Sequence, residues 1–198
     1  MKNTVSYRTR APATISHVIG FDDAPFNHHR RKNVLIVGAV FAGQRMDGIL
    51  SGYVRRDGVN STDTLITLIK GCRFYPQLQA VLLQGIAFAG FNVVDLHRLH
   101  EQLGLPVIVI SRVKPNLAKI KSALLEKVPG GGKKWRLIEK AGPMEKIGDV
   151  YVQRVGIDKD KTAALIKRFS IHSNIPEPLR AAHLIAGGVE VGESKHRV

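Results

Sequence analysis

A chain of 198 residues with 30 Lys and Arg against 16 Asp and Glu, a formal charge of +14, can bury one self-supporting core, and its charge is either a solubilising surface or the mark of a phosphate-rich partner. Its one cysteine, Cys72, excludes an intramolecular disulfide, and the missing CxxC and Cys/His finger spacings exclude a zinc finger, so a reducing, cytoplasmic setting is expected. The opening MKNTVSYRTR has no apolar core, and the longest apolar run, Ala80–Phe91, is broken by Gln84 well short of the ~20 residues of a membrane helix, so neither a secretory signal nor a membrane span is expected.

In chain order, Ile15–Asp23 reads as a first strand, stopped by Pro25, which cannot continue a ladder. His28–Lys32 is a polar, basic connection, placed for phosphate contact or simple exposure. Asn33–Ala42 is apolar and β-branched, a buried strand, and Ile49–Val59 is a third. Connections this short imply an antiparallel meander. A helix starts at Thr62, capped by Asn60 or Ser61, with Leu65, Ile66, Leu68 and Ile69 on its apolar side. Ala80–Phe88 is apolar on both faces, as a central parallel strand is. A helix over Val93–Leu103 closes at Gly104, Pro106–Ser111 is another buried strand, and Asn116–Val128 is an amphipathic helix. Lys127–Lys134, with Pro129 and three glycines, reads as a flexible basic loop able to close over a polyanion. Asp149–Ile157, a helix from Asp158 to Phe169 and a last helix after Pro176 follow as additions.

The order β-β-β-α-β-α-β-α describes a ribonuclease H-like α/β domain: a mixed five-stranded sheet with helices on both faces, a core over about 15–128 and a C-terminal extension over about 148–198. A flavodoxin-like alternation is the rival, opposed by the long Asn33–Val59 stretch without helical period.

Ligands of open α/β sheets bind beyond the carboxyl ends of strands where the strand order reverses. Here that place lies between the first strand and Ala80–Phe88. Asp22 and Asp23 end the first strand. Adjacent acids are neutralised naturally by a divalent cation, the alternative being a solvated turn. Asp63 is either an ordinary first-turn residue or a second ligand facing Asp22. Gln84 interrupts an apolar strand and needs a partner, since an unpaired buried amide costs ~1–3 kcal/mol. Asn92 and Asp95 are further candidates, with helix capping the default for Asp95. Asp47 and Asp57 read as turn residues, His97 and His100 as a solvated helix face, and Cys72 lacks a base partner. Nine basic residues lie between Arg112 and Lys140 against Glu126 and Glu139, half the net charge in 29 residues. Arg112, Lys114, Lys133, Lys134 and Arg136 are the expected phosphate contacts.

IGFDDAPF (Ile19–Phe26), DGVNSTD (Asp57–Asp63), LLQGIAFAGFNVVDL (Leu82–Leu96) and LPVIVISR (Leu105–Arg112) resemble domain-of-unknown-function family 99, a mostly archaeal, uncharacterised family similar at superfamily level to endonuclease V. Endonuclease V carries carboxylates at the end of the first strand, in the first helix and at the end of the fourth strand, binds magnesium, and cleaves a phosphodiester near inosine. The resemblance implies Asp22 in the first place, Asp63 in the second and Gln84, followed by Gly85, in the third, with Arg112 at the basic position after the fifth strand. Gln84 is neutral where the enzymes have Asp, and their aromatic-proline wedge has no counterpart between Val54 and Asp63.

Three readings follow. One is a Mg²⁺- or Mn²⁺-dependent nuclease on DNA or RNA, with Asp22, Asp63 and Gln84 catalytic and Asp22, Asp23 and Asp63 holding metal. Another is a non-catalytic nucleic-acid binder, its third acid replaced by Gln84. The last is a protein-interaction module docking through the Pro176–Val189 helix, on the apolar pattern Leu179, Ala182, Leu184, Ile185.

Overall fold

A computed structural model describes residues 14–26 and 33–194; the His28–Lys32 connection lies outside them. Three antiparallel strands open the fold: β1 (His17–Asp23), β2 (Asn33–Ala42) and β3 (Arg45–Arg55). The third starts and ends four residues earlier than its apolar alternation suggested, because Gly43 at φ +60° makes the turn tight enough for Arg45 to pair with Ala42. After α1 (Ser61–Lys70), β4 (Ala80–Gln84) runs parallel to β1. It ends at Gln84, because Gly85 at φ +82° turns the chain into a small hairpin of β5 (Ala87–Phe88) and β6 (Asn92–Val93). Helix α2 (Leu96–Leu103) then leads to β7 (Val107–Ser111), parallel to β4. Asp95 caps α2 by accepting from the Arg98 amide at 3.0 Å.

The remainder comprises α3 (Leu117–Lys127), α4 (Gly131–Lys140), β8 (Glu145–Ile147), β9 (Val150–Val155), α5 (Lys159–Phe169) and α6 (Glu177–Val191). The sheet order is β3-β2-β1-β4-β7-β9-β8. The ribonuclease H-like five are therefore extended to seven: β9 and β8 pair antiparallel beyond β7, covering an edge that would otherwise expose unpaired backbone groups.

Strand alternation divides the core in two. Val18, Val37, Leu82 and Ile110 face α5 and α6, while Ile19, Phe21, Leu83 and Val109 face α1 and α2. Leu179, Ala182 and Ala186 of α6 are fully buried, so the apolar face offered to a partner is occupied by the chain's own sheet. Gly20 allows this: a Cβ there would come within 2.6 Å of the Pro178 backbone.

The Lys127–Lys134 segment is not a mobile loop. It is the junction of a helical hairpin, with Gly130 in the left-handed region at φ +70° and Gly131 packed against the Leu124 backbone, where a side chain has no room. Leu124, Ile138 and Val93 seat this hairpin beside β6, at the carboxyl end of the sheet.

Candidate active site

β1 and β4 pair rung by rung up to Phe21 and Leu83, so the next rung sets Asp22 beside Gln84, and Gln84 in turn pairs with Ile110 of β7. Asp22 is buried and turns toward α6, where its Oδ2 lies 2.7 Å from Nδ1 of His183; its Oδ1 accepts from the Asp23 amide at 2.9 Å. Gln84 shares the face of Leu82, and its Oε1 is buried without a hydrogen-bond partner among the described residues. Arg112, just past β7, is exposed and close enough for its charge to act on His183. One carboxylate, one bare amide oxygen, one imidazole and one guanidinium thus gather at the strand-order reversal.

The electrostatics are strained. Burial pushes the Asp22 carboxyl up, opposed by its bond to His183. That same bond raises the His183 imidazole, opposed by burial and by Arg112. His183 is the residue that the sequence pattern did not disclose: it sits in a helix read for its apolar stripe, 161 positions from its partner. A lone His among apolar helix residues, one turn from Leu179, was the available signal.

Asp23 is anchored away from the cluster, its Oδ2 accepting from the Ala89 amide at 2.6 Å, yet its carboxyl stays close enough to that of Asp22 for the two to interact. Burial and then the Asp22 charge push its pKa up to about 7. Asp63 is also elsewhere. Leu65 and Ile69 dock α1 on the layer opposite α6, leaving Asp63 60% exposed and ion-paired with Arg98 at 2.5 Å. Among the described residues no three His, Cys, Asp or Glu side chains converge as a metal-holding group.

Asn92 is a buried bracket: Oδ1 accepts from the Ser61 amide, and Nδ2 donates to the Arg55 carbonyl and Asn60 Oδ1. Lys134 is 3% exposed and donates to the Asp57 carbonyl, because its helix turn faces the hairpin rather than solvent; its ammonium is consumed within the fold. Lys114, Lys133 and Arg136 are exposed, as are Lys119, Lys121, Lys127 and Lys140.

Below Gly85 and Ser111, on the side of the sheet away from α6, lies a cavity of about 240 Å³. Its walls are mostly apolar, with Ile86, Phe91, Leu117, Ile120 and Ile138 prominent.

The sequence model described as endonuclease dU matches residues 14–190. The chain belongs to the endonuclease dU family. The fingerprint around IGFDDAPF and GFNVVD led to this same family. A UPF0215 protein of Deinococcus radiodurans is 55% identical over 185 residues, 93% of this chain and 94% of its own. A UPF0215 protein of Methanothermobacter thermautotrophicus is 43% identical over 182 residues, 90% of this chain and 89% of its own. Among solved structures, a protein of unknown function from Archaeoglobus fulgidus superposes with a TM-score of 0.82 at 32% identity, covering 88% of this chain and 98% of that one. Endonuclease V from Ciona intestinalis, solved with a DNA 24mer containing an inosine followed by a ribo-adenosine, gives 0.56 at 14% identity, covering 88% and 85%. That likeness places the endonuclease dU family member on an endonuclease V-like, ribonuclease H-like fold. No helix among the described residues is long and apolar enough to cross a membrane.

Proposed function

We propose that this protein is a nuclease that cleaves a phosphodiester of DNA or RNA at the Asp22–Gln84–His183–Arg112 cluster. The observation that carries the reading is the buried Asp22–His183 pair set beside the bare Gln84 Oε1. A buried unpaired acceptor next to a carboxylate at a strand end is the mark of a site that takes a charged ligand.

The family implies Mg²⁺ or Mn²⁺. Asp22 and Gln84 Oε1 fit such an ion as a hard-oxygen pair, the kind of limited protein set that water and a substrate phosphate complete. When bound, the ion supplies charge neutralisation on the phosphoryl oxygens and an activated water. The chain's own residues do the rest. Asp22 fixes the His183 ring through Nδ1, leaving Nε2 as the ring nitrogen that transfers a proton at the leaving oxygen. Arg112 binds the phosphate oxygens. Lys114, Lys133 and Arg136 hold the strand through its backbone, a sequence-independent and salt-sensitive grip. The charge concentrated between Arg112 and Lys140 supports nucleic acid as partner.

The test is cleavage of labelled single- and double-stranded DNA and RNA, including deoxyuridine and inosine strands, with Mg²⁺ or Mn²⁺. Cleavage is expected to fall by at least about a hundredfold in His183→Ala and to vanish in Asp22→Asn. Activity that persists in Asp22→Asn refutes the site. Salt-dependent binding with no cleavage under any cation establishes the non-catalytic binder instead, the reading that the neutral Gln84 favours.

A further inference from the structure

Strand β3 forms one edge of the sheet, and the direction of its backbone groups follows from its hydrogen bonds. Arg55 donates its N–H to Asn60 Oδ1 at 3.0 Å, and its carbonyl accepts from the Gly58 amide and from Asn92 Nδ2, so its peptide groups point away from β2. On β2 the Leu35 carbonyl accepts from Ala24, toward β1, so Leu35 and the Tyr53 opposite it exchange no ladder bonds. Both observations turn the N–H and C=O of Tyr53, Ser51 and Ile49 outward. None of these groups has a backbone partner among the described residues.

The side chains along this edge are as open. Gly48, Leu50, Gly52 and Val54 lie on the α1 side, where Phe74 and Leu68 fill the space at the two glycines. Ile49 and Tyr53 lie on the other face, 46% and 61% exposed, although Ala39 and Leu35 across from them on β2 are buried in the layer under α5 and α6. Sheet edges are ordinarily guarded by charge, proline or a bulge. Here such guards stand only at the ends of the strand: Arg45, Asp47 and Arg55 carry charge, and the register shifts at Asp47, between the Gly48–Val40 and Met46–Phe41 rungs. Between them GILSGYV (Gly48–Val54) has no charged residue, in a chain of net charge +14. That neutral stretch is where two copies of a strongly basic protein meet with least repulsion.

We propose that β3 pairs antiparallel with β3 of a second copy about a two-fold axis at Ser51, joining the two sheets into one. Outward residues must stand opposite outward residues, and that selects the axis. An axis at Leu50 sets that bulky side chain against its own copy. An axis at Gly52 sets Ile49 against Arg55, whose backbone groups are already committed. An axis at Ser51 uses every open group, with Ser51 opposite Ser51 and Ile49 opposite Tyr53. Such aromatic and β-branched cross-strand pairs are favourable ones. On the α1 side Leu50 then meets Gly52 and Gly48 meets Val54, large against small. Asp47 of each copy falls level with Arg55 of the other, opposite charges at both ends of the ladder. The Asp22 cluster lies beyond β2 from this edge and stays open in each copy.

Analytical ultracentrifugation of the full chain between about 1 and about 100 μM tests this. The wild type is expected to sediment as a dimer. Ser51→Lys and Ser51→Glu each oppose like charges at the axis and are expected to raise the dissociation constant by at least about a hundredfold, while an equal mixture of the two restores dimers. Ser51 is exposed, so both variants are expected to keep the wild-type melting profile. Oxidative cross-linking in a Cys72→Ser background reads the register. Ser51→Cys is expected to link two copies, since directly opposed bonded residues have Cα atoms ~5.5 Å apart, within disulfide range. Ile49→Cys is expected not to, because Tyr53 stands opposite it and the two copies of position 49 are ~14 Å apart. A wild type that stays monomeric at about 100 μM, a dimer indifferent to Ser51→Lys, a mixture no more associated than either variant alone, or cross-linking through Ile49→Cys as ready as through Ser51→Cys overturns the proposal.

Discussion

Replacing Asp23 with Asn removes a titrating carboxyl while keeping the atom that Ala89 needs. The folded Asp23 holds its proton to about pH 7, against a reference value of 3.8, because burial and the neighbouring Asp22 charge both oppose ionisation. A folded-state pKa above the unfolded one stabilises below the unfolded value and loses that stability as pH rises to the folded value. The window therefore runs from about pH 4 to about pH 7, with a loss of about 1.4 kcal/mol per pH unit. The gap of about 3 units sets a ceiling of about 4 kcal/mol. Asp23→Asn stays neutral, and its Oδ1 still accepts from the Ala89 amide. The variant is expected to match the wild type near pH 4 and to exceed it increasingly up to pH 7–8. At ~2–4 °C per kcal/mol for a chain of this size, the gain at pH 8 approaches ~8–16 °C in Tm. Thermal melts of both proteins in EDTA at pH 4.5, 6 and 8 measure it, the difference reporting the removal of Asp23 together with its relief of Asp22. A variant less stable than the wild type at pH 8 by as much as at pH 4.5 refutes the reasoning, since the hairpin would then depend on the ionised carboxylate.

Gln84→Met fills the same space without an orphaned acceptor and is expected to raise stability by about 1 kcal/mol in urea melts while abolishing cleavage. Asp63→Asn breaks an exposed ion pair and is expected to cost no more than ~0.2–1 kcal/mol and to leave cleavage within about twofold; a hundredfold loss would restore Asp63 to the site. Lys133→Ala and Arg136→Ala are each expected to lower the slope of log affinity for nucleic acid against log salt by about 1, read by anisotropy titrations between 50 and 200 mM salt.

The fold was legible wherever backbone periodicity carries the information. The β-branched run at Asn33–Ala42 and the two-sided apolar strand at Ala80 announced buried strands, and the short connections announced the meander. Of the added strands, β9 lies within Asp149–Ile157, which was read as an added element without a place in the sheet, while the edge strand β8 was not read, because three residues have too little length for a period to register. The glycines at 130–132 misled because permissive backbone and close packing use the same residue; only the third dimension shows Gly131 pressed against Leu124. Asp22 was found from its place at a strand end, Gln84 as the polar break in an apolar strand, and both again through the resemblance. Asp63 was carried over by resemblance, but the direction of a helix side chain is set by which neighbours dock the helix, here Leu65 and Ile69. His183 was missed because its meaning comes from a contact spanning 161 residues.

The parity of a strand end organises what the site does. At the carboxyl ends of β1, β4 and β7 the chain places three consecutive pairs: Asp22 with Asp23, Gln84 with Gly85, and Arg112 with Ser111. In each pair the even residue faces α6, where His183 completes a charged cluster. The odd residue faces away: Asp23 grips the hairpin that walls the cavity, and Gly85 and Ser111 line it. A two-residue period thus separates the proposed phosphate site from the cavity across one edge of the sheet, with one residue step between the two in each strand. That arrangement gives a physical reason for a glycine at position 85. Its φ of +82° lets the chain turn from the end of β4 into the hairpin, a backbone conformation that a side chain would strain although nothing stands within 4 Å of an added Cβ. It also explains why Asp22 and Asp23, adjacent in sequence, carry different work: one holds the imidazole in register with the cluster, the other holds the shape of the hole beside it.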